Sequence, residues 1–321
     1  MFELTKYLKH TKSPFNKNYE GYTQEQLYEI SEGLKSGVDI SKYAKIEFSA
    51  TMMRVIRLAL EEKLDISGID YSKIDVDVAS ELHELMIINI NIDKYKEGYS
   101  SKQLYAIRDG YTRGYDVSLF DDKKFSSEQM YAIIKGIKDG VDVTKYNDPY
   151  THYEIMNQIR MSLNSKVNIN HYINNCYSSS QINEIRLGLE KGLDVSMYNS
   201  KEFTSKQMIQ IRKGLEHNID VTKYNDVCYD HYQMAQIRKG LERGLDISIY
   251  SNPKYSSYEM FEIRKALLDG VNIKQYIDDG FTPNQVAQIR LGILENIDVS
   301  KYAKLDLSPS EMGDIRLNLL K

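Results

Sequence analysis

Apolar residues recur along this chain with two nested periods. Over short stretches they fall three and four residues apart, as in Met208, Ile211 and Leu215 or Met260, Ile263 and Leu267, which puts them on one face of a helix. Over longer distances the whole stretch returns every 26 residues, from Phe203 to Tyr229, Tyr255 and Phe281 and back to Tyr177. A fixed period of this size predicts a stacked array of helical units rather than one globular core. With the leading large residue as position zero, the units start at Tyr22, Phe48, Ile74, Tyr99, Phe125, Thr151, Tyr177, Phe203, Tyr229, Tyr255, Phe281 and Leu307.

The polar residues between these apolar ones read as start and stop signals. Position one is Ser or Thr in most units, and position four is often Gln or Glu (Gln26, Gln103, Gln129, Gln181, Gln207, Glu259, Gln285, Glu311), the spacing of a capping box. Pro283 and Pro309 stand at the first helical position, where a missing N–H leaves no bond unmade. Position eleven is small: Gly33, Gly110, Gly136, Gly188, Gly214, Gly240 and Gly292 are glycine. Because a mid-helix glycine costs about 1 kcal/mol relative to alanine, a packing reason is expected, namely close approach of the next helix. Position fifteen is Gly or Asn in most units, followed by an apolar residue, the pattern of a left-handed helix end. A segment such as Asp220 to Tyr224 then reads as a short helical turn capped by aspartate. The alternative is a short strand, which would make the array a β/α horseshoe of the leucine-rich type.

The predicted architecture is therefore all-α, a single elongated α-solenoid of about twelve units, each a helix of roughly thirteen residues plus a short helical turn. Residues 22–321 form the array. Residues 1–21 are expected to cap it, since Leu4, Thr5, Lys6 and Tyr7 resemble a decayed turn and Lys9, Lys12 and Lys17 follow. The third unit departs most from the pattern. Leu85 replaces the small residue, and Ile87 and Ile88 stand at normally solvated places, which suggests either a locally different packing at a bend or cover by another segment or by a partner.

Charge changes the picture little: the formal net charge is −4, far from the basic excess of a general nucleic-acid binder. The 2 cysteines, Cys176 and Cys228, lie two periods apart and, at about 8–10 Å per helix step, beyond disulfide reach. A reduced, cytoplasmic protein is expected, with no membrane partner, because no apolar stretch is long enough to span a bilayer.

One constellation invites a chemical reading. Arg57, Arg108, Arg160, Arg186, Arg212, Arg238, Arg264, Arg290 and Arg316 form a ladder at position nine. Such a row could grip an anionic partner. The competing expectation is structural, with each arginine paired to the recurrent Asp or to helix-end carbonyls of an adjacent unit. The six histidines occupy scattered positions, and no Gly-rich phosphate loop, HExxH or CxxC motif occurs, so neither a metal, a cofactor nor a small-molecule substrate is expected. Every carboxylate recurs with the repeat and none forms a unique pair, so the chain reads as non-enzymatic.

Binding energy is expected where the pattern varies while pointing outward. Position six does so, and its large members Tyr28, Tyr105, Tyr131, Ile209 and Phe261 suit a protein interface; its alternative role is half-buried filler between helices. The string at residues 236–250, Gln-Ile-Arg-Lys-Gly-Leu-Glu-Arg-Gly-Leu-Asp-Ile-Ser-Ile-Tyr, resembles uncharacterised tandem 26-residue repeat proteins of gut and clostridial Firmicutes and of their phages or mobile elements. The resemblance implies an accessory role there, such as inhibiting a host defence protein. The expected function is a repeat scaffold that binds a protein partner along one face. A nucleic-acid binder using the arginine ladder and a structural spacer are the alternatives.

Overall fold

A computed structural model describes residues 21–321, and among these every regular element is helical, with no strand. The capping segment expected over residues 1–21 lies outside the described residues except for Gly21. The chain divides into two compact units, Met1–Arg160 and Met161–Lys321. The first holds α1 (Gln24–Ser36), α2 (Ala50–Glu61), α3 (Val76–Ile87), α4 (Ser101–Thr112) and α5 (Ser127–Asp139). Helix α6 (Tyr153–Ser165) spans the division. The second unit holds α7 (Asn170–Asn174), α8 (Ser179–Glu190), α9 (Ser205–Glu216), α10 (His231–Leu241), α11 (Ser257–Leu268), α12 (Lys274–Asp278), α13 (Pro283–Leu294) and α14 (Pro309–Leu319). Within each unit successive long helices pack side by side, as an all-α solenoid requires.

Helix ends form as the sequence pattern predicts. Thr204 Oγ1 accepts from Gln207 N at 3.3 Å while Gln207 Oε1 accepts from Thr204 N at 2.8 Å, a complete capping box. Asp230 and Gln233 close another, with aspartate standing in for the hydroxyl residue. At the other end Gly37 has φ +74°, and Val38 N donates back to Gly33 O at 3.1 Å, the Schellman closure. Asn218 and Asn296 take the same left-handed conformation.

After seven of the long helices the short segment is a 3₁₀ turn, and no strand occurs among the described residues. In Val195–Met197, Asp194 Oδ1 accepts both the N–H and the hydroxyl of Ser196, at 3.0 and 2.6 Å. The same pair recurs at Asp39 and Ser41, Asp116 and Ser118, Asp246 and Ser248, and Asp298 and Ser300. The aspartate is therefore spent on its own turn.

That turn delivers a tyrosine beneath its own helix. Tyr43, Tyr198, Tyr224, Tyr250 and Tyr302 are fully buried, and burial pushes their phenols well above the usual range, for Tyr302 to about 12. Each hydroxyl donates to a helix carbonyl of the same repeat, as Tyr43 does to Glu29 O at 3.0 Å and Tyr302 to Gln288 O at 3.0 Å. The phenolic oxygen lies so close to the mid-helix glycine that a Cβ on Gly33, Gly136, Gly188, Gly214, Gly240 or Gly292 would overlap it. At Gly110 the neighbour is Phe120, whose Cζ would be 2.7 Å from an added Cβ. The glycine is thus required by the repeat's own tyrosine and not, as the sequence pattern suggested, by the next helix.

Where the turn changes, the glycine disappears. Asn168 and Asn272 replace the capping aspartate, and neither is followed by a hydroxyl residue at the capped place. There the 3₁₀ turn gives way to the short helices α7 and α12, where Asn168 and Asn272 Oδ1 still accept the N–H of Asn170 and Lys274 at 3.0 and 3.1 Å but no hydroxyl bond accompanies them. Tyr172 and Tyr276 pack edge-on against Tyr177 and Phe281 at 5.5 and 5.8 Å, and Ser162 and Ala266 stand where glycine was needed. In the third unit Asn91 accompanies Leu85, and Tyr95 points its hydroxyl to Tyr111 and Asp121 at 3.1 and 3.0 Å.

The capping glutamine joins one repeat to the next. Its Oε1 completes the capping box, and its Nε2 donates to two carbonyls of the loop entering the following helix. Gln26 reaches Ile46 O and Phe48 O at 3.2 and 2.6 Å, and Gln103 reaches Lys123 O and Phe125 O at the same distances. Gln129, Gln181, Gln207, Gln233 and Gln285 repeat the arrangement. These glutamines occur in the same units as the mid-helix glycines.

The glycine–tyrosine contact yields a double-mutant test. Gly214→Ala should destabilise the protein by about 1–3 kcal/mol despite the better helix propensity of alanine. Tyr224→Phe, which removes the overlapping oxygen, should recover much of that loss in the double variant. Urea unfolding of the four proteins checks it, and a stabilised Gly214→Ala variant would contradict the contact.

Candidate interaction face

The arginine ladder sits between helices, where its partners are built into the array. Arg57 Nε donates to Glu29 of the preceding repeat at 2.9 Å and Nη1 to Glu61 of its own helix at 2.7 Å. Arg212 pairs likewise with Glu184 at 2.9 Å and with Glu216, and Arg108 with Glu81 at 2.9 Å. Arg290 lies 3.4 Å from Glu262 and 2.6 Å from Asp269. In Arg238, Arg264 and Arg316 the preceding-repeat partner is an amide oxygen, of Gln210, Gln236 and Gln288 at 3.4, 3.0 and 3.2 Å. Arg186 bonds Glu190 and Asn183 within its own helix, and Arg160 bonds Asp139. The turn aspartates expected as partners take no part.

Besides Ser31 on the first described helix, two rungs hold something else. His83 replaces arginine and faces Val55, where most other repeats carry Glu or Gln; its Nε2 lies 2.6 Å from Tyr71 Oη. Burial depresses its pKa to about 4. Ile134 replaces arginine where the facing place is Ala106, and both are buried. Charge and countercharge therefore change together across the seam. Arg160 breaks that rule: Ala132 faces it, and its Nε is the one buried side-chain nitrogen without a partner among the described residues.

With positions seven, nine and eleven consumed by packing, positions three, six and ten form the outward ridge of each helix. In the first unit Tyr28 and Tyr105 are 59 and 46 % exposed, and Tyr131 is half-buried. Tyr105 and Tyr131 are brought together, lining one shallow groove of about 280 Å³ with Asp77, Ser80, Glu81, Ser101 and Lys102. The Arg108 guanidinium lies over the Tyr105 ring at 5.0 Å. Burial, then the charges of Tyr105, Asp109 and Glu81, push the Tyr131 phenol up. Tyr28 lies three repeats earlier and outside this groove. Ile87 ends α3 at 48 % exposure, covered by no described segment, and Ile88 is half-buried.

In the second unit Ile209 and Phe261 are half-buried and separated by the helix carrying Ala235. Phe261 is covered by the Arg264 and Lys265 cations at 5.5 and 5.1 Å. The most exposed aromatics of this ridge are Tyr232 and Tyr258, at 61 and 73 %. Both stand at position three, which the sequence pattern passed over; their 26-residue separation was the available signal. Cys176 and Cys228 are free and exposed. Among the described residues no cluster of His, Cys, Asp or Glu has the makings of a metal site, and no helix is long and apolar enough to cross a membrane.

The seam makes two predictions. Removing a cation from it leaves a buried carboxylate, so Arg212→Ala should cost about 3–5 kcal/mol, whereas Glu184→Gln, which recreates the arginine–glutamine rungs found elsewhere, should cost under about 1.5 kcal/mol; thermal and urea unfolding compare them. Between pH 4 and 6.5 the unfolded chain protonates a histidine that the folded chain keeps neutral at His83. Stability should therefore fall as the pH drops below 6.5, by up to about 3 kcal/mol at the lower limit. His83→Gln should remove that part of the pH slope, as read from unfolding midpoints across the range.

No family model matches the chain, and neither the curated proteins nor the solved structures contain a detectable relative.

Proposed function

We propose that this protein is a non-enzymatic repeat scaffold that holds a protein partner along the outward ridge of its helices. The observation that carries this is the placing of its aromatic residues. Most repeated aromatics are buried, yet Tyr28 and Tyr105 at position six of the first unit, and Tyr232 and Tyr258 at position three of the second, remain 46–73 % exposed. Exposed tyrosines flanking a groove supply rigid, amphipathic contact area at low entropic cost, which is what interface hot spots use. Tyr105 and Tyr131 are the anchors of this face in the first unit, with Asp77 and Glu81 on the groove wall.

A nucleic-acid role through the arginine ladder draws less support, because those guanidinium groups are engaged by Glu, Gln and Asp side chains of the array. The likeness of residues 236–250 to repeat proteins of phages and mobile elements supports an accessory role in which the partner is a host protein.

The Tyr105→Ala, Tyr131→Ala double variant tests the proposal. Affinity capture from the source cells, with quantitative mass spectrometry, should recover a partner on the parent protein and at least about tenfold less of it on the variant, while the circular dichroism spectrum stays unchanged. Equal recovery on both would overturn the choice of face. A partner lost on ribonuclease or deoxyribonuclease treatment would overturn the protein-binding reading.

A further inference from the structure

The outward ridge of the second unit carries a column of cations without counter-ions. Lys213, Lys239 and Lys265 occupy the same position on α9, α10 and α11, three helices packed in succession. Lys213 and Lys239 are exposed and Lys265 is half-buried. None of the three forms an ion pair among the described residues. The nearest carboxylates in sequence are already held, Glu216 by Arg212 and Lys191, and Glu242 by Arg238 and His217. Aromatic anchors lie on the same ridge, Tyr232, Tyr258 and Phe261.

A second observation points the same way. Arg264 is the ladder arginine on α11. It has no carboxylate partner among the described residues and rests on Gln236 Oε1 at 3.0 Å and on the Phe261 ring. A partly desolvated guanidinium compensated only by an amide oxygen and a ring face gains from an approaching anion. Its neighbour Lys265 stands over the same ring. Two cations thus converge on the Phe261 ring at the edge of the ridge.

We infer that this ridge docks an acidic helical segment of a partner protein, with carboxylates against Lys213, Lys239 and Lys265 and apolar side chains against Tyr232, Tyr258 and Phe261. The spacing fits that occupant. Neighbouring helices stand about 8–10 Å apart. On an α-helix, residues seven apart share a face and lie about 10.5 Å apart, so a helix laid across the three would present one carboxylate to each lysine. Every third phosphate of a DNA strand, at about 3.4 Å per step along the axis, would also meet the column, so the oligonucleotide arm of the test separates the two occupants. The inference deepens the scaffold reading and rests on it, but it concerns residues separate from Tyr105 and Tyr131.

The test uses the full chain and a fluorescein-labelled helical peptide of about twenty residues, with Glu at every seventh place and Leu beside each. The same peptide with Lys for Glu, and a thymidine oligonucleotide of similar length, are the controls. Fluorescence anisotropy at low salt should show the acidic peptide bound at least about tenfold more tightly than either control. The Lys213→Glu, Lys239→Glu, Lys265→Glu variant should weaken it by a further tenfold or more, and Tyr232→Ala with Tyr258→Ala by about as much. Charge-blind binding, preference for the oligonucleotide, or full affinity in the lysine variant would each overturn the inference. So would sedimentation showing a dimer in the parent and a monomer in the lysine variant, since the ridge would then belong to a second copy. A cellular partner captured through Tyr105 and Tyr131 despite any of these results would leave the scaffold reading standing and sink only the acidic-segment inference.

Discussion

A single side-chain amide at the start of each regular helix ties this protein together. Its oxygen accepts from the N-cap backbone, and its nitrogen donates to two carbonyls of the loop that leads into the next repeat, as Gln207 does for Thr204 and for Tyr229. A glutamine suits this place because it offers acceptor and donor at once, while a glutamate can only accept. Glu259 shows the difference. It closes its capping box, but the turn that follows is the short helix α12 rather than the 3₁₀ form. Glutamine, mid-helix glycine and aspartate-capped turn occur together because the clamped loop begins where that turn ends, and the turn fits only if its ring can pass under a residue without a Cβ.

The second constraint is electrostatic. Burying an arginine stem between helices is favourable only if its head group is matched. The array meets this by varying both sides of the seam together: Arg with Glu or Gln, His83 with Val55, Ile134 with Ala106. An interaction that is unfavourable when half-made acts as a register for neighbouring repeats, so that a helix finds its correct neighbour by charge as well as by shape. This is why the ladder, the most conspicuous polar pattern in the chain, contributes to cohesion between repeats.

What remains free is the outward ridge, and its chemistry differs along the chain. In the first unit the ridge carries tyrosines beside Asp77 and Glu81; in the second it carries Tyr232, Tyr258 and Phe261 beside uncompensated lysines. A helical array whose inner positions are fixed by packing can vary its outer ones at little cost in stability, since exposed substitutions leave the seam and the capping network intact.

The period, the helix limits, the capping boxes, the left-handed stops and the aspartate-capped turn were all legible in the sequence, because each depends on residues within one repeat and on local backbone geometry. The fold class followed from them. The partners of the repeated polar groups were not. Nothing local distinguishes an aspartate that caps its own turn from one that pairs an arginine, and the mid-helix glycine gave no hint that it makes room for a tyrosine ten residues on rather than for the next helix. Those assignments depend on which side chains the stacking brings within hydrogen-bond reach. The same holds for the ridge: Tyr232 and Tyr258 carry an evident period, but only the packed helices show them standing clear of the core while Tyr198, Tyr224 and Tyr250 are wholly enclosed.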